Sequence, residues 1–416
     1  MQIMVLGAGV IGLTSAYYLN RAGHQVVIVD RHGDVAAETS FGNAGQLSYS
    51  YVAPLAGPGV LSKLPLWLTR KDSPVRLRPS MSPAQWRWCL QFALACSRKR
   101  SEITTRQLLS LSFASRTLIH QMLRDEPQLD FDFQQSGKLV LHRDAHAMQS
   151  AVDLLEFQRS LGCEQSALSA DECVALEPAL ADMHKELAGG IYTSSEDTAD
   201  CHRFCQGLAE ILRARGVEFA LHTPIDALRR SPRGHIEVRS NGTTLQAQNI
   251  VVAMGTGAAR LLKPLGIDVP VYPLKGYSLT YHLDEPSAAP RVSVTDFARK
   301  VVYARLGNRL RVAGMADIEG YSRRPDPARL AALRAETAAF LPKVVADRGE
   351  VSEWTGLRPA TPRGTPIIGA TPYRNLWLNV GHGALGFTLA AGSAVLLTSC
   401  LENRADPVPS NAFALQ

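Results

Sequence analysis

Three glycines near the start of the chain, Gly7, Gly9 and Gly12, have the spacing G-x-G-x-x-G. In that pattern the first glycine permits a tight turn, the second lets the backbone approach a pyrophosphate, and the third lets a helix pack closely on a strand. The flanking residues suit it. Residues 2–6 read as a buried strand, 11–22 as a helix closed by Gly23, and 25–30 as a second buried strand that ends on Asp30. Val10 and Ile11 then lie at the helix N-terminus, where free N–H groups and the helix dipole favour phosphate. Asp30 can accept hydrogen bonds from ribose hydroxyls and disfavours a 2′-phosphate, so the expected ligand is a dinucleotide other than NADP.

Further glycine turns favour FAD over NAD. Ser40, Asn43, Ala44, Gly45 and Gln46 form a small-residue loop after the second strand. Gly255 ends another strand, and Gly383, Ala384, Leu385 and Gly386 open a helix that carries Thr388. FAD is long, and a helix N-terminus can stabilise the charge that reduction places on a flavin. Arg31, beside Asp30, and Ile225 complete the expected cofactor set.

The remaining sequence must position these loops. A chain of 416 residues with 46% hydrophobic and 20% charged residues is globular and long enough for two domains. Helices are expected at 102–124, 147–161, 200–215, 327–340 and 385–401, and strands at 138–141, 217–221, 235–239, 245–253 and 376–380. Residues 271–283, 300–306 and 309–315 alternate as an antiparallel sheet does. The run 385–401 is short for a membrane span and reads as a helix packed on a sheet. A net charge of +6 without interleaved aromatics does not point to nucleic acid. Seven cysteines form no disulfide framework, and Cys201, His202 and Cys205 lack a further ligand, so no metal is expected and the cysteines should face the core. No basic region precedes the apolar start, as a signal peptide would require. The cytoplasm is the expected location.

Several segments resemble the bacterial D-amino acid dehydrogenases of the D-amino acid oxidase superfamily. They are 38–40 with 43–46, Val271-Tyr-Pro-Leu-Lys-Gly-Tyr-Ser-Leu-Thr280, Trp354-Thr-Gly-Leu-Arg-Pro-Ala-Thr-Pro362, and Leu378-Asn379 with Gly381-His382-Gly383. The resemblance runs from residue 1 to about 400. It implies an α/β fold with a glutathione-reductase-like Rossmann FAD domain, discontinuous over 1–50, 195–270 and 355–405. A second, α+β substrate domain on an antiparallel sheet would come from 51–194 and 271–354. It also implies non-covalent FAD, oxidation of D-amino acids to 2-oxo acids and ammonia by hydride transfer to flavin N5, and electrons passed to a respiratory acceptor such as a quinone. Arg358 matches the superfamily arginine that binds the substrate carboxylate, a role suited to a planar guanidinium. Tyr277 is expected as a second carboxylate contact and Tyr303 as a weaker candidate. His382 is expected to act through its backbone rather than as an acid or base.

Three segments depart from the family pattern: Arg363, residues 296–300 and residues 47–51. The last two are expected near the substrate pocket and leave open a cyclic D-imino acid such as hydroxy-D-proline. An oxygen-using amine oxidase and a flavin subunit inactive alone are the other readings. Residues 51–100 hold nine Lys or Arg, the single acid Asp72, and Trp67, Trp86 and Trp88. That composition suits a peripheral contact with anionic lipid on the inner face of the cell membrane.

Overall fold

The computed structural model describes residues 1–70, 73–346 and 350–415. Asp72, named above, and Lys71, one of the nine basic residues of that segment, lie outside the described residues. A six-stranded sheet has the order Ile367–Ala370, Leu376–Val380, Asn249–Val252, Gln2–Leu6, Gln25–Val29, Glu218–Ala220. All neighbours are parallel except the antiparallel edge strand Ile367–Ala370. Such a sheet needs both faces covered. Ile3 and Val5 point to one face, where they join a core with the helices Val10–Arg21, Cys201–Ala214, Arg98–Asp125 and Gly386–Glu402. Met4 and Leu6 point to the other face, onto a three-stranded antiparallel sheet that contributes Leu228, Ile236 and Val238.

The helix Gly386–Glu402 is apolar nearly all round, and together with the turn before it, as Gly383–Glu402, it is long and apolar enough to cross a membrane. In this fold it is a core helix. Leu389, Leu396 and Leu397 are buried, and burying each contributes about 1.5–3 kcal/mol. A Cβ on Gly392 would stand 2.7 Å from the Leu111 carbonyl oxygen, so this helix and Arg98–Asp125 approach backbone to backbone. Cys201 and Cys205 face the same core.

A second, nine-stranded sheet has the order Val351–Ala360, Tyr272–His282, Arg309–Ile318, Val301–Leu306, Ser293–Asp296, Lys138–His142, Gly189–Thr193, Gln165–Leu168, with Val75–Leu77 paired to Arg309–Ile318. Alternation divides its residues between two faces. Leu139, Tyr277, Leu279, Val294, Tyr303 and Val312 share one face and a core with the helix Pro327–Phe340. The opposite face carries Lys138, Ser293, Arg311, Ser278, Gly276 and Arg358, and the loop 38–51 lies against it.

Three expectations change. The run 245–253 is two strands, Thr243–Leu245 and Asn249–Val252, in different sheets. Residues 355–360 were expected with the FAD domain but continue the strand Val351–Ala360 of the nine-stranded sheet, because they pair in unbroken antiparallel register with residues 272–277. The helix Arg98–Asp125 was expected with the substrate domain, yet its Leu108, Leu111 and Ile119 are in the core of the six-stranded sheet.

Candidate active site

The dinucleotide end is built from backbone. Gly7 has φ +110°, and a Cβ there would lie 2.7 Å from the Ala253 carbonyl oxygen, so the turn passes directly beside the neighbouring strand end. A Cβ on Gly12 would collide with the Gly7 carbonyl. Gly9 precedes the helix Val10–Arg21, whose first turn carries no acid. The Val10 amide donates to Ser40 Oγ at 3.1 Å, which ties the turn to the loop that follows the second strand. Asp30 receives the Ala8 amide on one oxygen at 2.8 Å and the His32 amide on the other at 2.9 Å, and it remains partly exposed. Each of its oxygens keeps a lone pair for a ribose hydroxyl. Arg31 turns instead to Glu38, and Ile225 packs on the core between the sheets.

The loop 38–51 then crosses to the nine-stranded sheet. Thr39 Oγ1 donates to the Leu357 carbonyl at 2.8 Å, and Arg311 donates to the Asn43 carbonyl at 2.7 Å. Asn43 Oδ1 receives the Gly45 amide at 2.9 Å, with Gly45 at φ +74°. Gln46 pairs with Thr198 as a short strand and donates to Ser293, while the Ser48 amide donates to Thr388 Oγ1 at 3.2 Å. The loop is thereby fastened to both sheets and to the last helix. Gly255, at φ +50°, borders open space, and a Cβ on Gly383, at φ +55°, would meet nothing nearer than Ala360 Cα at 3.9 Å. These openings, with two helix starts free of acids, fit a long anionic cofactor. Ala384, Leu385 and Gly386 lie at the second of those starts. His382 beside it is buried, and its Nε2 faces Ser393 Oγ at 3.0 Å. Burial pulls its pKa down to about 3, so the ring is neutral and turned away from the opening.

Arg358 lies over Gly276, where any Cβ would collide with the guanidinium. Its Nη1 donates to the Met315 carbonyl at 2.7 Å. Met315 has φ +61°, at a bulge where the pairing slips between Lys275 and Tyr277. Among the described residues no carboxylate lies within ion-pair distance of Arg358. Desolvation lowers its pKa, yet a guanidinium stays charged in proteins. A half-buried cation with unused donors is a receptor for an anion, and the planar fork suits a carboxylate.

Neither tyrosine joins it. Tyr277 is on the opposite sheet face, with its hydroxyl on Asp317 at 2.8 Å, inside a buried network in which Asp317 also binds Arg76 and Arg329. Strand alternation therefore separates Tyr277 from the Arg358 face. Tyr303 stacks on Phe340 at a centroid distance of 4.4 Å in the same helix-covered core. Both are structural tyrosines. The sequence reading missed Arg311, Gly276, Met315 and Lys138. For Gly276 the signal was present, a glycine within a run of strand formers.

A family model described as FAD dependent oxidoreductase (DAO) matches residues 2–400. The chain belongs to that family. FAD is its cofactor. The chain is 50% identical over 423 residues to D-amino acid dehydrogenase 2 of Ralstonia nicotianae, covering 100% of both chains. It is 45% identical over 412 residues to D-amino acid dehydrogenase 2 of Pseudomonas aeruginosa, covering 97% of this chain and 95% of the relative. Glycine oxidase from Geobacillus kaustophilus shares the fold, with TM-score 0.80, 21% identity and coverage of 100% and 98%. L-proline dehydrogenase from P. horikoshii does so with TM-score 0.78, 15% identity and coverage of 100% and 96%.

Gly276→Ala should displace the Arg358 guanidinium and leave the FAD turns untouched. Steady-state kinetics should show KM raised on the order of tenfold to a hundredfold with flavin content unchanged. An unaltered KM would remove the Gly276–Arg358 contact from the site.

Proposed function

We propose that this protein oxidises D-amino acids to 2-oxo acids and ammonia and passes the electrons to a respiratory acceptor. The reading is carried by Arg358, a half-buried cation with no paired carboxylate among the described residues, on the sheet face against which the loop 38–51 lies. The names of the full-length relatives support the choice of substrate class. FAD supplies hydride acceptance when bound. The chain's own residues bind and orient: Arg358 holds the carboxylate, Met315 and Gly276 hold Arg358, and the turns at Gly9 and Gly383 hold the cofactor. The neutral, inward-facing His382 offers no base, in keeping with a hydride leaving a neutral amine. The chain mainly positions the partners.

Arg358→Leu should retain FAD and lose turnover of D-amino acids with an artificial electron acceptor. Losing a charge-assisted pair with a desolvated carboxylate costs about 2–5 kcal/mol in kcat/KM. L-enantiomers should be poor substrates of the wild type, because the same carboxylate anchor turns their Cα–H away. Equal rates on both enantiomers would contradict the assignment.

A peripheral membrane contact extends the proposal. Trp67 and Trp88 do not contribute, since both are buried and Trp88 donates to the Ala360 carbonyl at 2.9 Å. The support comes from the helix Pro83–Ala95, which has a second apolar face: Trp86, Leu90 and Leu94 are exposed at a four-residue spacing, with Met81 beside them. Arg98, Lys99 and Arg100 follow, and no acid occurs between residues 73 and 101. Apolar residues flanked by cations suit an anionic bilayer, which would bring a quinone within reach. The wild type should float with anionic vesicles at low salt, and Leu90→Glu with Leu94→Glu should stay in the soluble fraction. A wild type that ignores anionic and neutral vesicles alike would end the membrane reading.

A further inference from the structure

Lys138 is the first residue of the strand Lys138–His142 and shares the sheet face of Arg358 and Arg311. It is 3% exposed. Its Nζ donates to Gln46 Oε1 at 2.9 Å and to Ser48 Oγ at 2.8 Å, and lies 4.3 Å from the centroid of the Tyr51 ring. The ammonium thus meets three neutral groups, all of them in the loop fastened to Thr388. Among the described residues no carboxylate lies within ion-pair distance of it. A buried ammonium without a contacting counter-ion is costly, and such lysines exchange their proton readily.

The surrounding charges are few. Glu196 accepts the Ser50 amide at 2.7 Å on one oxygen, and its other oxygen is buried without a partner. Beyond it Asp197 is paired with His120 at 2.7 Å, Arg116 lies over the Tyr49 ring, and Cys163 lies near Ser50. Ser293, Thr295, Thr193 and Gln165, on the adjoining strands, are uncharged. Burial pulls the Lys138 amine down to about 8 and Glu196 opposes that pull, while burial pushes the Glu196 carboxyl up.

We propose that Lys138 is the proton-exchanging group of the redox site: it takes up a proton as reduction brings negative charge to the loop it supports, and releases it on reoxidation. This rests on the FAD reading above. Two electrons and one proton enter the flavin. A second proton, from solvent, binds Lys138 Nζ, and both protons leave when the acceptor removes the electrons.

The test is the flavin reduction potential of the purified holoenzyme, equilibrated with redox dyes from about pH 6 to about pH 10. Tenfold in proton concentration moves a two-electron couple by about 30 mV for one proton and about 59 mV for two. The wild type should show about 30 mV per pH unit at the acid end, where Lys138 is charged in both states, and about 59 mV where it titrates. Lys138→Met and Lys138→Arg should show about 30 mV throughout, with the arginine variant keeping the higher potential at neutral pH. Glu196→Gln should move the break to lower pH, because the charge that holds the proton is gone. If Lys138→Met does not hold FAD, the arginine and Glu196 variants decide. A yellow wild type with one slope throughout overturns the proposal alone. A colourless wild type overturns the FAD reading and the proposal with it.

Discussion

A guanidinium kept half-buried without a paired carboxylate among the described residues is the arrangement on which the rest of the site depends. Moving an ion out of water costs several kcal/mol, and proteins normally offset this with a paired counter-ion. Arg358 has instead one backbone carbonyl, that of Met315, and the attraction of Asp317 from the far side of the sheet. The cost is tolerable because the neighbourhood is over-determined. Asp317 binds Arg76, Arg329 and Tyr277 and holds the bulged pair of strands in register. Gly276 leaves the room into which the guanidinium fits. In the proposed function, the substrate carboxylate supplies the missing partner.

The two sheets divide the work. Parallel strands of the first end in glycine turns whose openings and acid-free helix starts suit an anionic cofactor. The second offers a polar face beneath the loop 38–51, and its other face is sealed by Pro327–Phe340. The loop 38–51 joins them, through Ser40 to the first helix, through Thr39 and Arg311 to the second sheet, and through Ser48 to Thr388. Substitutions in that loop should therefore disturb cofactor and substrate together.

What could be read from sequence follows from the range of each interaction. Local signals sufficed for the G-x-G-x-x-G turn, for Leu376–Val380 and for Pro327–Phe340, where a proline start and an apolar stripe mark the helix. Arg358 was reached through resemblance rather than through any local pattern. Tyr277 failed as a candidate because its face is set by the register against Arg309–Ile318 and Val351–Ala360, strands far along the chain. The bulge beside it, the packing of Arg98–Asp125 against Gly386–Glu402, and the burial of Trp67 and Trp88 are likewise long-range outcomes. Lys138 reads as an ordinary strand residue until Gln46 and Ser48, some ninety positions earlier, are brought onto it.

The account turns on a carboxylate being recognised by Arg358 next to the flavin. The direct measurement is a titration of the holoenzyme's visible flavin absorbance with simple carboxylates that carry no amine and cannot be oxidised. The wild type and Tyr277→Phe should both show a saturable spectral shift, and Arg358→Leu should show none at the same concentrations. A shift of equal size and affinity in Arg358→Leu would contradict the central claim.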